Sequence, residues 1–237
     1  QVSDCGFDTW RNLSVQTDSL LQQYADLVRL HYGPWDRRAG HEPFLGRSPK
    51  PEGAAFYPAD SSRLELERWI EAHPADRDAF LSPVTVIRRQ GAGLMAVPYS
   101  QKYAPWLERA SVALRAAVPL TDCPGLAKFL TARADAFTSN DYLKSEMAWM
   151  ETGECPVEVA IGPYEFEEDR LNGYKASFSA IIAVKDYGET AKVAKLGQYG
   201  DELLAGFPLP AELRDRIEPV KGQPITIAHE VFAAGDY

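Results

Sequence analysis

Residues 157–186 read VEVAIGPYEFEEDRLNGYKASFSAIIAVKD, and the fold hangs on how this stretch is interpreted. Val157, Val159 and Ile161 alternate with Glu158 and Ala160, the period of two that a strand imposes on its side chains. The spacing therefore predicts a strand over Val157–Ile161, a turn at Gly162-Pro163 and a second strand over Tyr174–Val184. Between them lies a knot of acids, Glu165, Glu167, Glu168 and Asp169, with Glu158 on the first strand facing away from its apolar side. Glu165 and Glu167 share a face if the chain stays extended past the turn. Two readings follow from the pattern: a solvated acidic edge, or an acidic groove that clamps a cation or a peptide amine.

Working outward, helical spacing of Leu20, Tyr24, Leu27, Val28 and His31 predicts a helix from about Thr17 to Tyr32, stopped by Gly33-Pro34. His31 lies on or beside its apolar face and reads as a packed histidine. Residues 33–60 are dense in glycine and proline and read as a long surface loop. Ser62 and Glu65 have capping-box spacing ahead of a helix that carries Leu64, Trp69 and Ile70 and ends near His73-Pro74. Val84–Arg88 and Leu94–Val97 read as a hairpin around Gln90-Gly91-Ala92-Gly93.

Three helices are expected next, over Lys102–Ala117, Pro124–Thr138 (with Asp122 as its cap) and Asn140–Met150. The second carries Leu126, Phe129, Leu130, Ala134 and Phe137 on one face. Beyond the paired strands, helices over Glu189–Ala205 and Ala211–Ile217 follow, and Pro224–Ile227 begins a final strand-like piece that runs towards Tyr237. Helices and strands come in blocks, which makes the class α+β. The expected division is 1–83, helical with a long loop, and 84–237, mixed helix and sheet.

Composition narrows the function. Asp and Glu total 34 against 25 Lys and Arg, a net charge of −9. Phosphate-backbone binding runs on clustered basic residues, so nucleic acid is not an expected partner. No run of ~18 apolar residues suggests a membrane span. Three cysteines, Cys5, Cys123 and Cys155, make neither a disulfide framework nor a zinc motif. An odd count suits a reducing compartment, with one pair plus a free thiol as the alternative. Cys123 and Cys155 each precede a proline and read as inert buried thiols. The first residue is Gln; signal-peptide removal or trimming would leave such an end, and export is favoured over the cytoplasm.

Catalytic templates are missing from the pattern. Gly91-Ala92-Gly93 lacks the Lys and Ser/Thr of a phosphate loop, and no Gly-x-Ser-x-Gly elbow occurs. Zinc peptidases place two histidines at i and i+4 of a helix, so that both face one ion. Here His41-Glu42 and His229-Glu230 each lack the second histidine. With four histidines in all, at 31, 41, 73 and 229, a three-ligand zinc site within this chain is not expected.

Residues 157–186 resemble a segment of the dipeptidyl peptidase III-type zinc metallopeptidases. There a strand runs into Ile-Gly-Pro, an acid- and aromatic-rich turn, and Gly-Tyr-Lys-Ala-x-Phe. Tyr32-Gly33-Pro34-Trp35-Asp36-Arg37, Phe56-Tyr57-Pro58-Ala59-Asp60, Ala96-Val97-Pro98-Tyr99 and Ala132-Arg133-Ala134-Asp135-Ala136 resemble further family stretches in the same order. So do Asp141-Tyr142, Ala148-Trp149-Met150 and Ala233-Ala234-Gly235-Asp236. The set covers nearly the whole chain and is most similar to the bacterial branch.

The resemblance implies the substrate-binding lobe of a two-lobed exopeptidase, helices with an antiparallel, partly barrel-like sheet. The family removes dipeptides from peptide N-termini and holds zinc in the other lobe through a helical His-Glu-…-His motif and a downstream Glu. This chain is then expected to be the amino-terminal portion, truncated before the zinc motif and inactive alone. Zinc is expected in the complete enzyme; short peptides and the zinc-bearing C-terminal part are the expected partners.

The substrate-binding candidates it implies are Glu158, Gly162, Tyr164, Glu165 and Asp169, with no catalytic or metal residue in this chain. Glu158 matches an acid that helps hold the substrate's terminal ammonium, while Glu165 and Asp169 match acids of a Glu-x-Tyr-x-Asp pattern. The sequence departs at Glu167, where the family commonly has Tyr, and at Ala160, where some members have Tyr. The alternative is a stand-alone, non-catalytic peptide- or amine-binding protein.

Overall fold

The computed structural model describes residues 19–196, 199–214 and 225–235. Helix α1 (Ser19–Leu30) closes through His31, whose amide donates to the Leu27 carbonyl, and Gly33, whose amide reaches the Val28 carbonyl. Two short strands, β1 (Trp35–Asp36) and β2 (Glu42–Pro43), pair antiparallel within the segment expected to be a surface loop. That expectation needs correction at its end, because Ala54, Phe56 and Tyr57 are buried. The Phe56 carbonyl accepts from the Ile87 amide at 2.7 Å, which stitches this irregular segment onto the next hairpin and satisfies its buried backbone.

Helix α2 (Arg63–Ala72) begins at Ser62, whose hydroxyl accepts from the Glu65 amide at 3.2 Å. Only that half of the capping box forms; the Glu65 carboxylate instead pairs with Arg89. After α3 (Arg77–Leu81), strands β3 (Thr85–Gln90) and β4 (Gly93–Pro98) make the expected hairpin, with Gln90 opposite Gly93 and Gly91 at φ +60° in the turn. Only a residue tolerant of positive φ closes so tight a connection.

The expected Lys102–Ala117 helix is present as α5 (Ala104–Ala117), preceded by a separate short helix, α4 (Tyr99–Lys102); Pro105 near the α5 N-terminus has no amide to donate to that preceding turn. α6 (Pro124–Ser139) starts on proline, so Cys123, in extended conformation, is its N-cap and Asp122 is not. Asn140, at φ +64°, ends α6 and delays the following helix, α7, to Leu143–Met150. The Asn140 side chain bridges elements, its Oδ1 accepting from the Ser100 amide and its Nδ2 donating to the Val84 carbonyl.

Strands β5 (Val157–Glu165), β6 (Ser177–Lys185) and β7 (Ala228–Ala234) form one sheet in the order β5-β6-β7. The predicted turn at Gly162-Pro163 is not there: β5 runs straight through both residues. An edge strand can carry proline, because its N–H side has no neighbour to serve. Helices α8 (Tyr187–Leu196), α9 (Gly200–Gly206) and α10 (Ala211–Arg214) lie between β6 and β7. The single helix expected over Glu189–Ala205 is therefore two, and the expected Ala211–Ile217 helix is described only to Arg214. The final strand expected from Pro224 onward is β7, which starts later, at Ala228; residue 224 lies outside the described residues, and residues 225–227 precede the strand.

The class is α+β with small antiparallel sheets, open rather than closed into a barrel among the described residues. The chain divides into two compact units, residues 1–153, 161–180 and 234–237, and residues 154–160 and 181–233. The first holds an aromatic-rich core in which Phe178 packs against Tyr99, Tyr103 and Phe137 with ring centroids 5.7–6.4 Å apart. Such tilted and edge-on contacts add to the large apolar burial of each ring. In the second, Asp186 caps α8 by accepting from the Glu189 amide at 2.9 Å, and the Thr190 hydroxyl accepts from the Ile227 amide.

The cysteine reading also changes. Cys123 and Cys155 are both disulfide-bonded, so neither is the inert thiol expected from sequence. Their separation along the chain hides the relationship, which only the fold creates.

Candidate functional site

In the first unit the acids of residues 165–169 have different occupations. Asp169 is 3% exposed, and its carboxylate accepts four hydrogen bonds. Oδ2 takes the Tyr57 hydroxyl at 2.7 Å and the amides of Tyr174 and Lys175 at 2.8 and 2.9 Å; Oδ1 takes the Asn172 amide at 3.0 Å. An acid aimed at its own turn in this way shapes the 166–173 loop, with Gly173 at φ +71° completing the reversal. Burial, reinforced by Asp169, holds the Tyr57 phenol well above its ordinary range, so it stays a donor.

Next to Asp169, the amide of Lys175 belongs to a residue whose side chain is fully buried. Its Nζ donates to the Phe80 carbonyl at 2.7 Å, the Ser82 carbonyl at 2.8 Å and Thr85 Oγ1 at 2.9 Å. Three acceptors match the three donors of an ammonium. Burial pushes Lys175 down to about 7, and the Asp169 carboxylate opposes the shift.

Gly162 and Tyr164 share one face of β5, and a buried arginine occupies the space beside them. Arg133, fully buried on α6, donates from Nη2 to Glu146 Oε1 at 2.6 Å. Its guanidinium lies 5.3, 5.4 and 5.5 Å from the ring centres of Phe129, Tyr142 and Tyr164. Cation–π contacts strengthen on desolvation, which compensates in part for burying the charge. A Cβ at position 162 would overlap Arg133 Nη1 and press on the Tyr164 ring, so only glycine fits. Burial pushes the Tyr164 phenol up to about 12. Gly162→Ala is expected to cost roughly 1–3 kcal/mol by overpacking, read as a lower urea midpoint at unchanged m-value.

Glu165 is half-buried at the end of β5, and the Ser177 hydroxyl donates to its carbonyl at 3.1 Å. Burial and then the repulsion of Glu167 raise its carboxyl above the usual range. Glu167 is exposed, whereas Glu168 is buried and ion-paired to Arg37 and Lys50.

In the second unit Glu158 lies on the first part of β5, with its side chain 31% exposed and Oε2 3.5 Å from Lys185 Nζ. The carboxylate thus already faces an ammonium, in a loose contact that leaves oxygen lone pairs for another donor. His229, on β7, meets Asp186 at 2.9 Å.

The histidines do not converge. His31 Nδ1 accepts from the Arg37 amide at 3.2 Å while its ring packs on Phe44, His73 stacks on Trp69 at 3.9 Å, and His41 meets Arg170. Among the described residues no three His, Cys, Asp or Glu stand where they could hold a metal ion.

Sequence reading missed Arg133 and the Arg37–Glu168–Lys50 group. One signal was available: position 133 interrupts the apolar stripe of Leu126, Phe129, Leu130, Ala134 and Phe137. A charge on the core side of an amphipathic helix has to find partners there.

No protein-family model matches the chain. It is 33% identical over 210 residues to Nudix hydrolase 3 of Arabidopsis thaliana, a match covering 79% of this chain and 27% of that protein. The solved structure of DPP III from Caldithrix abyssi superposes with a TM-score of 0.89 at 42% identity, covering all of this chain and 45% of that one. Dipeptidyl-peptidase III from Corallococcus sp. strain EGB gives 0.81 at 36% identity, covering 99% and 44%. The chain therefore spans less than half the length of these relatives.

Proposed function

We propose that the chain is a member of the dipeptidyl peptidase III family, with whose solved structures it aligns over its whole length, and that it is the amino-terminal, peptide-binding part of a zinc-dependent dipeptidyl exopeptidase. The observation that carries this reading is the match itself: the chain aligns over its whole length with 45% of a longer peptidase structure. The catalytic zinc and its ligands belong, in this reading, to the part of the protein outside these 237 residues. The disulfide-bonded state of Cys123 and Cys155 supports an oxidising compartment, periplasmic or extracellular.

Within the binding part, Glu158 is the anchor for the substrate's terminal ammonium. Its partial exposure and its existing contact with the Lys185 ammonium support that role. A carboxylate–ammonium hydrogen bond at the peptide's first residue fixes register, so that cleavage falls after the second. In the first unit, Glu165 is a further substrate-binding candidate, while Gly162, Tyr164 and Asp169 act through the shape of β5 and its loop.

Two measurements test the reading. The purified chain alone should leave dipeptidyl-naphthylamides uncleaved and bind no stoichiometric zinc, whereas the longer protein cleaves them; cleavage by the chain alone would overturn it. In the longer protein, Glu158→Gln should weaken peptide binding about tenfold or more, the worth of a hydrogen bond to a charged group. Acetylating the peptide's amino terminus should produce the same loss, and Glu158→Gln should then cause no further one. Stability should change by less than about 1 kcal/mol, as for a partly exposed pair.

A further inference from the structure

Arg133 is fully buried on α6, and its hydrogen-bonding capacity is only partly used. Nη2 donates to Glu146 Oε1 at 2.6 Å, while Nε and Nη1 are buried and have no hydrogen-bond partner among the described residues. The hydroxyl of Tyr142, whose ring centre lies 5.4 Å from the guanidinium, is likewise without a partner. Buried N–H groups left unpaired lower stability. A methionine in this aromatic setting would need no hydrogen bonds, and apolar replacement of a buried ion pair is often neutral or stabilising. Stability therefore does not account for an arginine at this position.

The guanidinium holds one face of β5. Nη1 stands where a side chain at position 162 would begin, and the Tyr164 ring centre lies 5.5 Å from the guanidinium carbon. Positions 162 and 164 are two apart on a strand, so they share a face and meet the same cation. β5 is an edge strand, and Pro163 between them has no N–H to pair. A slip of one residue there would turn every side chain to the opposite face. Two contacts on this face, made by a side chain that Phe129 at 5.3 Å and Glu146 hold in turn, oppose that slip. Glu165 then projects from the face opposite Tyr164, with its carbonyl accepting from the Ser177 hydroxyl at 3.1 Å.

We propose that Arg133 is a positioning residue for peptide binding: by clamping positions 162 and 164 it fixes the face of β5 from which the Glu165 carboxylate meets the substrate. This rests on the reading of Glu165 as a substrate-binding acid of a dipeptidyl exopeptidase. Arg133, at 0% exposure, acts through β5 and touches no substrate itself. The planar guanidinium suits the task, because it offers flat faces to aromatic rings and an N–H edge to a carboxylate at fixed angles. The Glu146 side chain is 37% exposed, so removing its partner leaves that carboxylate hydrated and not stranded in the interior.

The test is steady-state hydrolysis of a dipeptidyl-naphthylamide by the longer protein, with urea unfolding of each variant beside it. Arg133→Met should raise KM about tenfold or more with kcat kept, as for the loss of a contact to a charged group that binds ground and transition states alike. Its urea midpoint should stay level or rise. Arg133→Lys keeps a charge for Glu146 but lacks the planar fork; it guards against a folding failure and should raise KM by a smaller factor. Glu165→Gln should raise KM by about as much as Arg133→Met, and the double variant should raise it no further, whereas independent contributions would multiply. A lowered urea midpoint with unchanged KM in Arg133→Met marks a merely structural arginine. That result, multiplying effects in the double variant, or a wild-type KM in Glu165→Gln would each overturn the proposal while the peptidase reading stands. A longer wild-type protein that cleaves no dipeptidyl substrate would refute that reading and this proposal with it.

Discussion

Asp169→Ala is expected to cost about 4–5 kcal/mol of stability, a large share of what a domain has to lose. The substitution leaves the Tyr57 hydroxyl and the amides of Asn172, Tyr174 and Lys175 without their acceptor. Tyr57 and Lys175 are 4% and 0% exposed, so water does not readily replace the lost partner. A buried donor left unpaired costs about 1–3 kcal/mol, and partial relaxation of the loop keeps the sum near the lower end. Asp169→Asn retains one acceptor oxygen and should lose roughly half as much. Urea unfolding of both variants measures this. If Asp169→Ala kept its midpoint and lost only peptide affinity, Asp169 would be a substrate ligand and not the brace of the 166–173 loop.

Lys175→Met is the second large effect, expected at about 3 kcal/mol. Methionine fills much of the same volume but gives the Phe80 and Ser82 carbonyls and Thr85 Oγ1 no donor, and each lost pairing adds a penalty of order 1 kcal/mol. The pH dependence carries a signature of its own. Lys175 titrates near 7 in the fold against an ordinary 10.5, so the unfolded chain binds more protons between those values. Stability contributed through this group therefore rises with pH from about 7 to about 10.5. The wild type minus Lys175→Met difference in unfolding free energy, measured across that window, should show the rise. A difference that is flat or falls with pH would mean that the three acceptors hold the proton on Lys175 throughout.

Both residues show how far the sequence could be read. The Gly-Tyr-Lys-Ala run and the acids before it were recognisable as one family's segment, and the acids drew attention as a binding groove. Side-chain direction was not legible. Asp169 and Glu167 stand two positions apart, yet one is buried with four donors and the other is exposed. The difference arises from Tyr57, 112 residues earlier in the chain, which no local pattern could bring alongside. Glu158, by contrast, was placed on a strand by simple alternation, and on a strand it lies.

What the sequence by itself determined is local. Ser62 caps a helix because its hydroxyl reaches an amide three residues on; Gly91 allows a two-residue reversal; the block order of apolar periods makes the class α+β. These are settled by atoms within a few residues of one another, so the chain carries them wherever it goes. The tertiary structure decided the rest. β5 continues through Gly162-Pro163 because it lies at a sheet edge, where proline's missing donor has nothing to serve. Arg133 is buried because aromatic rings from α6, β5 and the approach to α7 surround it, and position 162 must be glycine because that guanidinium is there. Glu168 meets Lys50 across 118 residues. A lone charge in a sequence does not disclose its partner, since burial and pairing are properties of the assembled interior and not of the neighbours along the chain.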